Sequence, residues 1–398
     1  MEVLAAVTTE QVQAAIADAL AARTPLEILA GGSKTGLGRP GAAARRLDVS
    51  GLTGILDYDP DELTLTARPG TRLSEIAPML AARRQMLAFE PPALHRLYGT
   101  DGEPTLGGVL AAGLAGPRRI RAGGARDHLL GFSAVNGRAE AWRGGGRVVK
   151  NVSGYDMPKL QCGAFGTLSV LTELCLRLVP APETSLTLLV AADTQAAAGG
   201  IMARALNLPQ EVSAAACLPD AIAARAGLPR FAPHLVVLRL EGSGASVVDR
   251  AAALDREFPV VGELADEGSV LLWQAVGAVA PLLPDPDAII WRLCPPPARA
   301  AEILVALGPL AEHAYLDWGG GLIWLALPDA PPDGAAATLR AALGPDGHAT
   351  LIRGPAMLRA TIPVFPPMSP PLAALNARIR AAFDPALLLN RGRLAREP

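Results

Sequence analysis

Residues 147–173, RVVKNVSGYDMPKLQCGAFGTLSVLTE, are unlike the rest of the chain and restrict most what it can build. Elsewhere Ala, Leu and Arg dominate; here Lys150, Asn151, Tyr155, Asp156 and Lys159 lie among glycines. The order reads as strand, polar turn, short helix, tight turn, strand. Val148 and Val149 start it, and the β-branched and Leu run Leu168 to Leu176 ends it. Gly163 and Gly166 bracket Phe165, so the backbone there can take a positive φ or approach a ligand closely. The chain has three lysines, Lys34, Lys150 and Lys159. Two fall in this stretch and the third in a glycine-rich loop, which marks positions where a compact ammonium is wanted in an otherwise Arg-using chain.

With 398 residues the chain can bury a large core and divide into two or three domains. A net charge of −2 excludes nucleic acid as the main partner. Half of the residues are apolar, but the run Gly268 to Pro284 is too short and too broken by Gln274 and Pro281 to span a bilayer. No basic segment followed by an apolar run opens the chain, so no signal peptide is expected. The four cysteines are scattered and form no CxxC, which excludes an iron–sulfur cluster held by this chain alone and fits a reducing cytoplasm.

Thr8, with Gln11 three residues on, signals a helix start, and Val12, Ile16 and Leu20 form its core stripe. Leu26 to Ala30 is a short strand that runs into Gly31-Gly32-Ser33-Lys34-Thr35-Gly36. Such a loop presents consecutive backbone N–H groups to phosphate oxygens. It is not a Walker A loop, and Arg39-Pro40 prevents a long helix from following it. Strands follow at Leu47 to Val49, Gly54 to Tyr58 and Leu63 to Ala67; Arg68-Pro69-Gly70 then leads into a helix with Leu73, Ile76 and Leu80 on one face. Between Phe89 and Gly124, a run of small residues from Thr105 to Gly116 admits either a flat, rigid ligand or another backbone. Arg118, Arg119, Arg121 and Arg126 beyond it read either as a cationic surround for an acid or phosphate or as a solvated loop. Leu129 to Val135 is a further strand.

After Pro180, strands at Ser185 to Ala191, Leu235 to Leu240 and Ala288 to Leu293 alternate with helices at Ala196 to Leu206, Ser246 to Phe258 and Ala298 to Leu307. This alternation predicts an α+β layer, an open sheet with helices on one face. Phe383 to Arg393, FDPALLLNRGR, restores a motif-like texture.

Three segments in order, the strand with GGSKTG, TLGGVLAAGLAGPRR, and KNVSGYD followed by GAFGTLSVLTE, resemble the FAD-binding domain of the p-cresol methylhydroxylase / vanillyl-alcohol oxidase superfamily. Within it they are most similar to the FAD-binding subunits of bacterial glycolate oxidases. The resemblance implies an α+β fold: a p-cresol methylhydroxylase-type (PCMH-type) FAD-binding domain of two subdomains over residues 1–180, a smaller α+β cap over 181–370, and a tail, 371–398, that returns to the FAD domain. It implies that Gly31, Gly32, Ser33, Lys34, Thr35 and Gly36 bind the pyrophosphate, with Pro69 and Gly70 in the same channel. Thr105, Gly107, Gly108, Ala111 and Gly113 would lie along the flavin. Gly123, Gly166 and Val170 would touch it through main chain, and Asn390 would reach it from the tail.

The FNPG motif of similar proteins reads Leu389-Asn390-Arg391-Gly392 here, and the His-rich metal motif of catalytic relatives has no counterpart among His95, His128, His234, His313 and His348. No metal is expected, and no catalytic residue stands out. Ser33 and Lys34 occupy the loop position where some relatives carry the flavin-linking His, so FAD is expected to bind non-covalently. The resemblance implies the FAD-binding subunit of a cytoplasmic complex that oxidises glycolate or another small 2-hydroxy acid, with a second flavin subunit and an iron–sulfur subunit as partners. It would meet the inner membrane only through them. The alternatives are a self-sufficient FAD-dependent 2-hydroxy-acid dehydrogenase and a structural subunit without redox activity. 

Overall fold

The computed structural model describes residues 1–41, 43–146 and 155–396. The expected strand at Val148–Val149, and Lys150 and Asn151 with it, lie outside the described residues.

Among the described residues three larger sheets carry the fold, with a two-stranded pair, Gln85–Met86 and Val179–Pro180, beside them. A parallel three-stranded sheet has the order Glu2–Ala5, Arg45–Asp48, Leu26–Leu29. Its helix, Thr9–Ala22, is capped by the Thr8 hydroxyl, which accepts from the Gln11 amide. Val12, Ile16 and Ala19 are its buried residues, so Ala19 completes the stripe expected to include Leu20. The 3.6-residue period favours 12, 16 and 19 over a strict repeat of four. A five-stranded antiparallel sheet follows, ordered Ile55–Asp59, Thr64–Ala67, Ser169–Arg177, Leu129–Asn136, Ala141–Gly145.

The third sheet is eight-stranded and antiparallel: Val260–Ala265, Thr184–Ala192, His234–Gly242, Ala214–Pro219, Ala314–Asp317, Leu322–Leu327, Ile289–Cys294, His348–Arg353. It is buried on both faces, which explains continuous apolar runs such as LIWLAL. Along His234–Gly242, Leu235 and Val237 join one core while Val236 and Leu238 join another. Helices Gln195–Asn207, Gly244–Asp255, Ala300–Leu307 and Ala336–Leu343 cover the second face. The expectation of helices on one face alone needs correction. Helix Asp266–Gly277 packs Leu272, Trp273 and Val276 on the first face, in a core shared with Ile76, Leu106 and Phe132 of the N-terminal part.

A buried ion-pair cluster ties these parts together. Arg239 grips Glu90 through two bonds, of 2.7 and 3.0 Å. The Arg118 guanidinium takes Glu241 in the same forked way, and its amide donates to Glu90 at 2.8 Å. Asp317 stands beside the cluster, fully buried, accepting from the Trp318 amide at 2.7 Å. Burial pushes its carboxyl up to about 7; Glu90 adds to this, while the Trp318 amide and Arg239 oppose it. The unfolded chain releases that proton near pH 4, so the folded form holds more protons between the two values and stability falls as pH rises through them. Asp317→Asn should therefore raise the melting temperature at pH 8, by the equivalent of a few kcal/mol, and change it little at pH 4. Thermal unfolding of both proteins at the two pH values tests this; equal shifts at both would refute it.

Candidate functional site

Strand Leu26–Leu29 ends where the glycine loop begins, and the loop is fixed from behind. A Cβ on Gly31 would lie 1.9 Å from the Glu103 carbonyl oxygen, and one on Gly102 would lie 2.3 Å from the Gly31 carbonyl oxygen. Two backbones thus pack directly against each other, which side chains would prevent. Gly32 has φ +70° with open space where a Cβ would stand. The amides of Gly32, Ser33, Lys34, Thr35 and Gly36 donate to no acceptor among the described residues. Unsatisfied consecutive donors of this kind suit an anion.

The loop forms one wall of a cleft with about 1000 Å³ of empty space, counting its open mouth. Its floor comes from helix Leu106–Ala112, capped by the Thr105 hydroxyl, which accepts from the Gly108 amide at 3.3 Å. Gly107, Gly108, Ala111 and Ala112 give that floor almost no relief. Phe165, Gly166, Ser169 and Val170 form the facing wall. Asn390 braces the two walls. Its Oδ1 accepts from the Ile28 amide at 2.8 Å, and its Nδ2 donates to the Phe165 carbonyl at 2.7 Å.

The cleft brings together Gly31, Gly32, Ser33, Lys34, Thr35, Pro69, Thr105, Gly107, Gly108, Ala111, Gly166, Val170 and Asn390. Gly36, Gly70, Gly113 and Gly123 stand outside its lining. A Cβ on Gly36 would meet the Tyr98 ring at 2.4 Å, and one on Gly70 would meet the carbonyls of Val49, Ser50 and Leu52 within 2.8 Å. Gly113 ends its helix at φ 63°, and Gly123 has φ 79°. The arginines of the 118–126 run are engaged elsewhere: Arg118 in the ion-pair cluster, Arg119 over the Trp318 ring, Arg121 with Glu211, and Arg126 near Asp127.

Sequence reasoning missed Gln161 and Arg393, which also line the cleft. Gln161 is 3% exposed; its Oε1 accepts from the Ser169 hydroxyl at 2.6 Å, while its Nε2 is buried without a partner among the described residues. Its place inside QCGAFG, beside the turn glycines, was the available signal. An orphaned amide donor at a cleft wall is free to meet a ligand acceptor. Free loop amides and an ammonium fit a pyrophosphate, and a flat floor of small residues fits a planar ring, so these residues fit FAD.

Comparisons with known proteins agree. Residues 2–145 match a family described as an FAD binding domain. The glycolate oxidase subunit GlcE of Escherichia coli (strain K12) is 35% identical over 388 residues, covering 98% of this chain and 96% of that protein. The glycolate oxidase subunit GlcD of Bacillus subtilis (strain 168) is 34% identical over 138 residues, 35% of this chain and 28% of that one. The crystal structure of p-cresol methylhydroxylase shares the fold with a TM-score of 0.71 at 15% identity, covering 98% of this chain and 88% of that chain. Likeness to the Escherichia coli protein along nearly the whole of both chains is more than a shared fold, and by it this protein belongs to the glycolate oxidase subunit GlcE family, with FAD as its cofactor.

Proposed function

We propose that this chain is the FAD-binding subunit of a complex that oxidises glycolate or a closely similar 2-hydroxy acid, and that it carries electrons from that oxidation. The observation that carries the reading is the full-length likeness to a glycolate oxidase subunit, together with a cleft whose residues suit FAD. Bound there, the flavin would supply a reversible two-electron acceptor. The chain's own residues would do the holding. The loop amides and Lys34 would take the pyrophosphate, Thr105 to Ala111 would lie along the flavin, and the Gln161 amide would donate to one of its acceptors. We assign residues 1–180 to the FAD-binding domain, 181–370 to the cap and 371–398 to the returning tail.

Oxidation of a 2-hydroxy acid also needs a base for the hydroxyl proton. Among the described residues that line the cleft, the carboxylate is that of Glu27, and Arg46 holds it at 2.8 and 3.0 Å. This supports oxidation of the acid on a second flavin subunit, with an iron–sulfur subunit taking the electrons onward. No helix among the described residues is long and apolar enough to cross a membrane. In our reading the complex is cytoplasmic and any membrane contact runs through the partners.

The cleft lining includes no His, Cys or Tyr among the described residues, which supports non-covalent FAD. Acid precipitation of the purified chain should leave the yellow colour in the supernatant; colour retained in the pellet would refute non-covalent binding. Glycolate should bleach the lone chain slowly, at a rate about 10²–10⁴-fold below that of the chain co-expressed with its partner subunits. Fast bleaching of the lone chain would overturn the division of labour.

A further inference from the structure

The cleft holds a cation whose charge the chain leaves unbalanced. The Lys34 Nζ donates to the Ser33 hydroxyl at 2.8 Å, and this is its one bond among the described residues. Burial pushes the ammonium down to about 8, and no carboxylate offsets it. From helix Leu106–Ala112, a Cβ on Gly108 would stand 3.6 Å from Lys34 Nζ and 3.1 Å from the Thr105 hydroxyl. From strand Leu26–Leu29 comes Glu27, already engaged by Arg46. From the tail comes Arg393, a second positive charge, whose guanidinium donates to the Lys34 and Thr35 carbonyls at 3.4 and 3.2 Å. From the facing wall come Gln161 and Ser169, both neutral. Two cations and a row of free amides share one cleft, and the carboxylate that lines it is spent.

A half-buried ammonium without a counter-charge is disfavoured, and a lysine in that position shifts toward its neutral form. A doubly charged ligand reverses the balance, because an anion nearby favours the charged amine. We propose that Lys34 is a proton-linked anchor for the pyrophosphate of FAD: the amine takes up a proton as FAD binds, so cofactor loading weakens in alkaline solution. This rests on the reading of the cleft as the FAD site. The linkage has a definite sign. Below the pKa of the free protein Lys34 is charged in both states, and affinity does not depend on pH. Above it, only the FAD-bound form keeps the proton, and the dissociation constant rises by up to tenfold per pH unit.

The test is to titrate flavin-stripped protein with FAD between pH 6 and pH 9.5, following fluorescence quenching. Wild-type Kd should be constant below about pH 7.5 and rise roughly tenfold between pH 8.5 and 9.5. Lys34→Arg keeps the charge over the whole range and should bind tightly without the slope. Lys34→Gln should bind about 10–100-fold more weakly at pH 7, also without it. Calorimetry at pH 8.5 in two buffers of different ionisation enthalpy should show uptake of roughly half a proton or more by the wild type and almost none by either variant. A flat wild-type profile, or a slope that persists in Lys34→Gln, overturns the proposal while FAD binding itself stands. A wild type that binds no FAD at any pH overturns the reading of the cleft as well, so the two failures are distinguishable.

Discussion

Gly31→Val should leave a chain that neither holds FAD nor keeps its stability. The added Cβ would arrive 1.9 Å from a backbone oxygen and 2.9 Å from the Thr105 methyl. Neither is the free end of a flexible side chain, so the 102–105 segment has to move. Moving it drags Thr105, the cap of the floor helix, and disturbs Gly102, which is packed against the same loop. Overpacking of this kind costs about 1–3 kcal/mol, and more where backbone has to yield. Gly32→Val is the instructive contrast. Its Cβ meets nothing, so the fold loses only the strain of a non-glycine residue at φ +70°, about 1–2 kcal/mol. The valine fills space in the cleft instead. Gly31→Val should thus lose flavin and several degrees of melting temperature together, whereas Gly32→Val should lose flavin with a small thermal cost. Flavin content by absorbance and melting by circular dichroism check both. Wild-type melting and full flavin in Gly31→Val would sink the argument.

Arg239→Met is the second large effect. Arg239 is 3% exposed, and its removal leaves the Glu90 carboxylate with Arg118 alone. Burial by itself would raise the Glu90 pKa, but Arg239 and then Arg118 outweigh it and hold it below the usual carboxylate range. Breaking a buried pair from one side costs about 3–5 kcal/mol, because the remaining charge is stranded. The loss should be largest at pH 8 and smaller at pH 5, where Glu90 in the variant can relieve itself by taking a proton. Denaturant unfolding at the two pH values measures this. A loss below about 1 kcal/mol at pH 8 would show that the cluster contributes little to joining the two parts of the molecule.

Much of the fold was legible because it is local. The alternation of Leu63 to Ala67 and the Thr8 cap speak within a few residues, and strand Thr64–Ala67 and helix Thr9–Ala22 follow. Strand Ala214–Pro219 was not legible. AAACLP is an apolar run without period, and only burial on both faces of a sheet makes it a strand. Arg118 shows the same limit for charge. Its run reads as a ligand surround or a solvated loop, yet its partner is Glu241, brought to it by the sheet. In the cleft, the glycine loop and the Thr105 to Ala112 run stand out by composition. Gln161 does not, because an orphaned amide is a property of three-dimensional neighbours. Gly70 carries the opposite lesson: its glycine answers to three carbonyls behind the loop.

Asn390 has a consequence for the order in which the molecule can be finished. Its side chain joins the Ile28 amide to the Phe165 carbonyl, and the first of these bonds spans 362 residues. Strand Leu26–Leu29 also receives the backbone of Leu388 to Asn390 along its edge. A chain still on the ribosome therefore makes the glycine loop and the facing turn long before the residue that locks them together. Until residue 390 has been added, the facing turn is tied to the floor helix through the Phe165 and Gly163 amides, and the two sheets share a small apolar core. The bond from the Phe165 carbonyl to strand Leu26–Leu29 that Asn390 supplies is still missing. Flavin capture should therefore come late in biosynthesis, and a nascent chain stalled in the cap should emerge colourless.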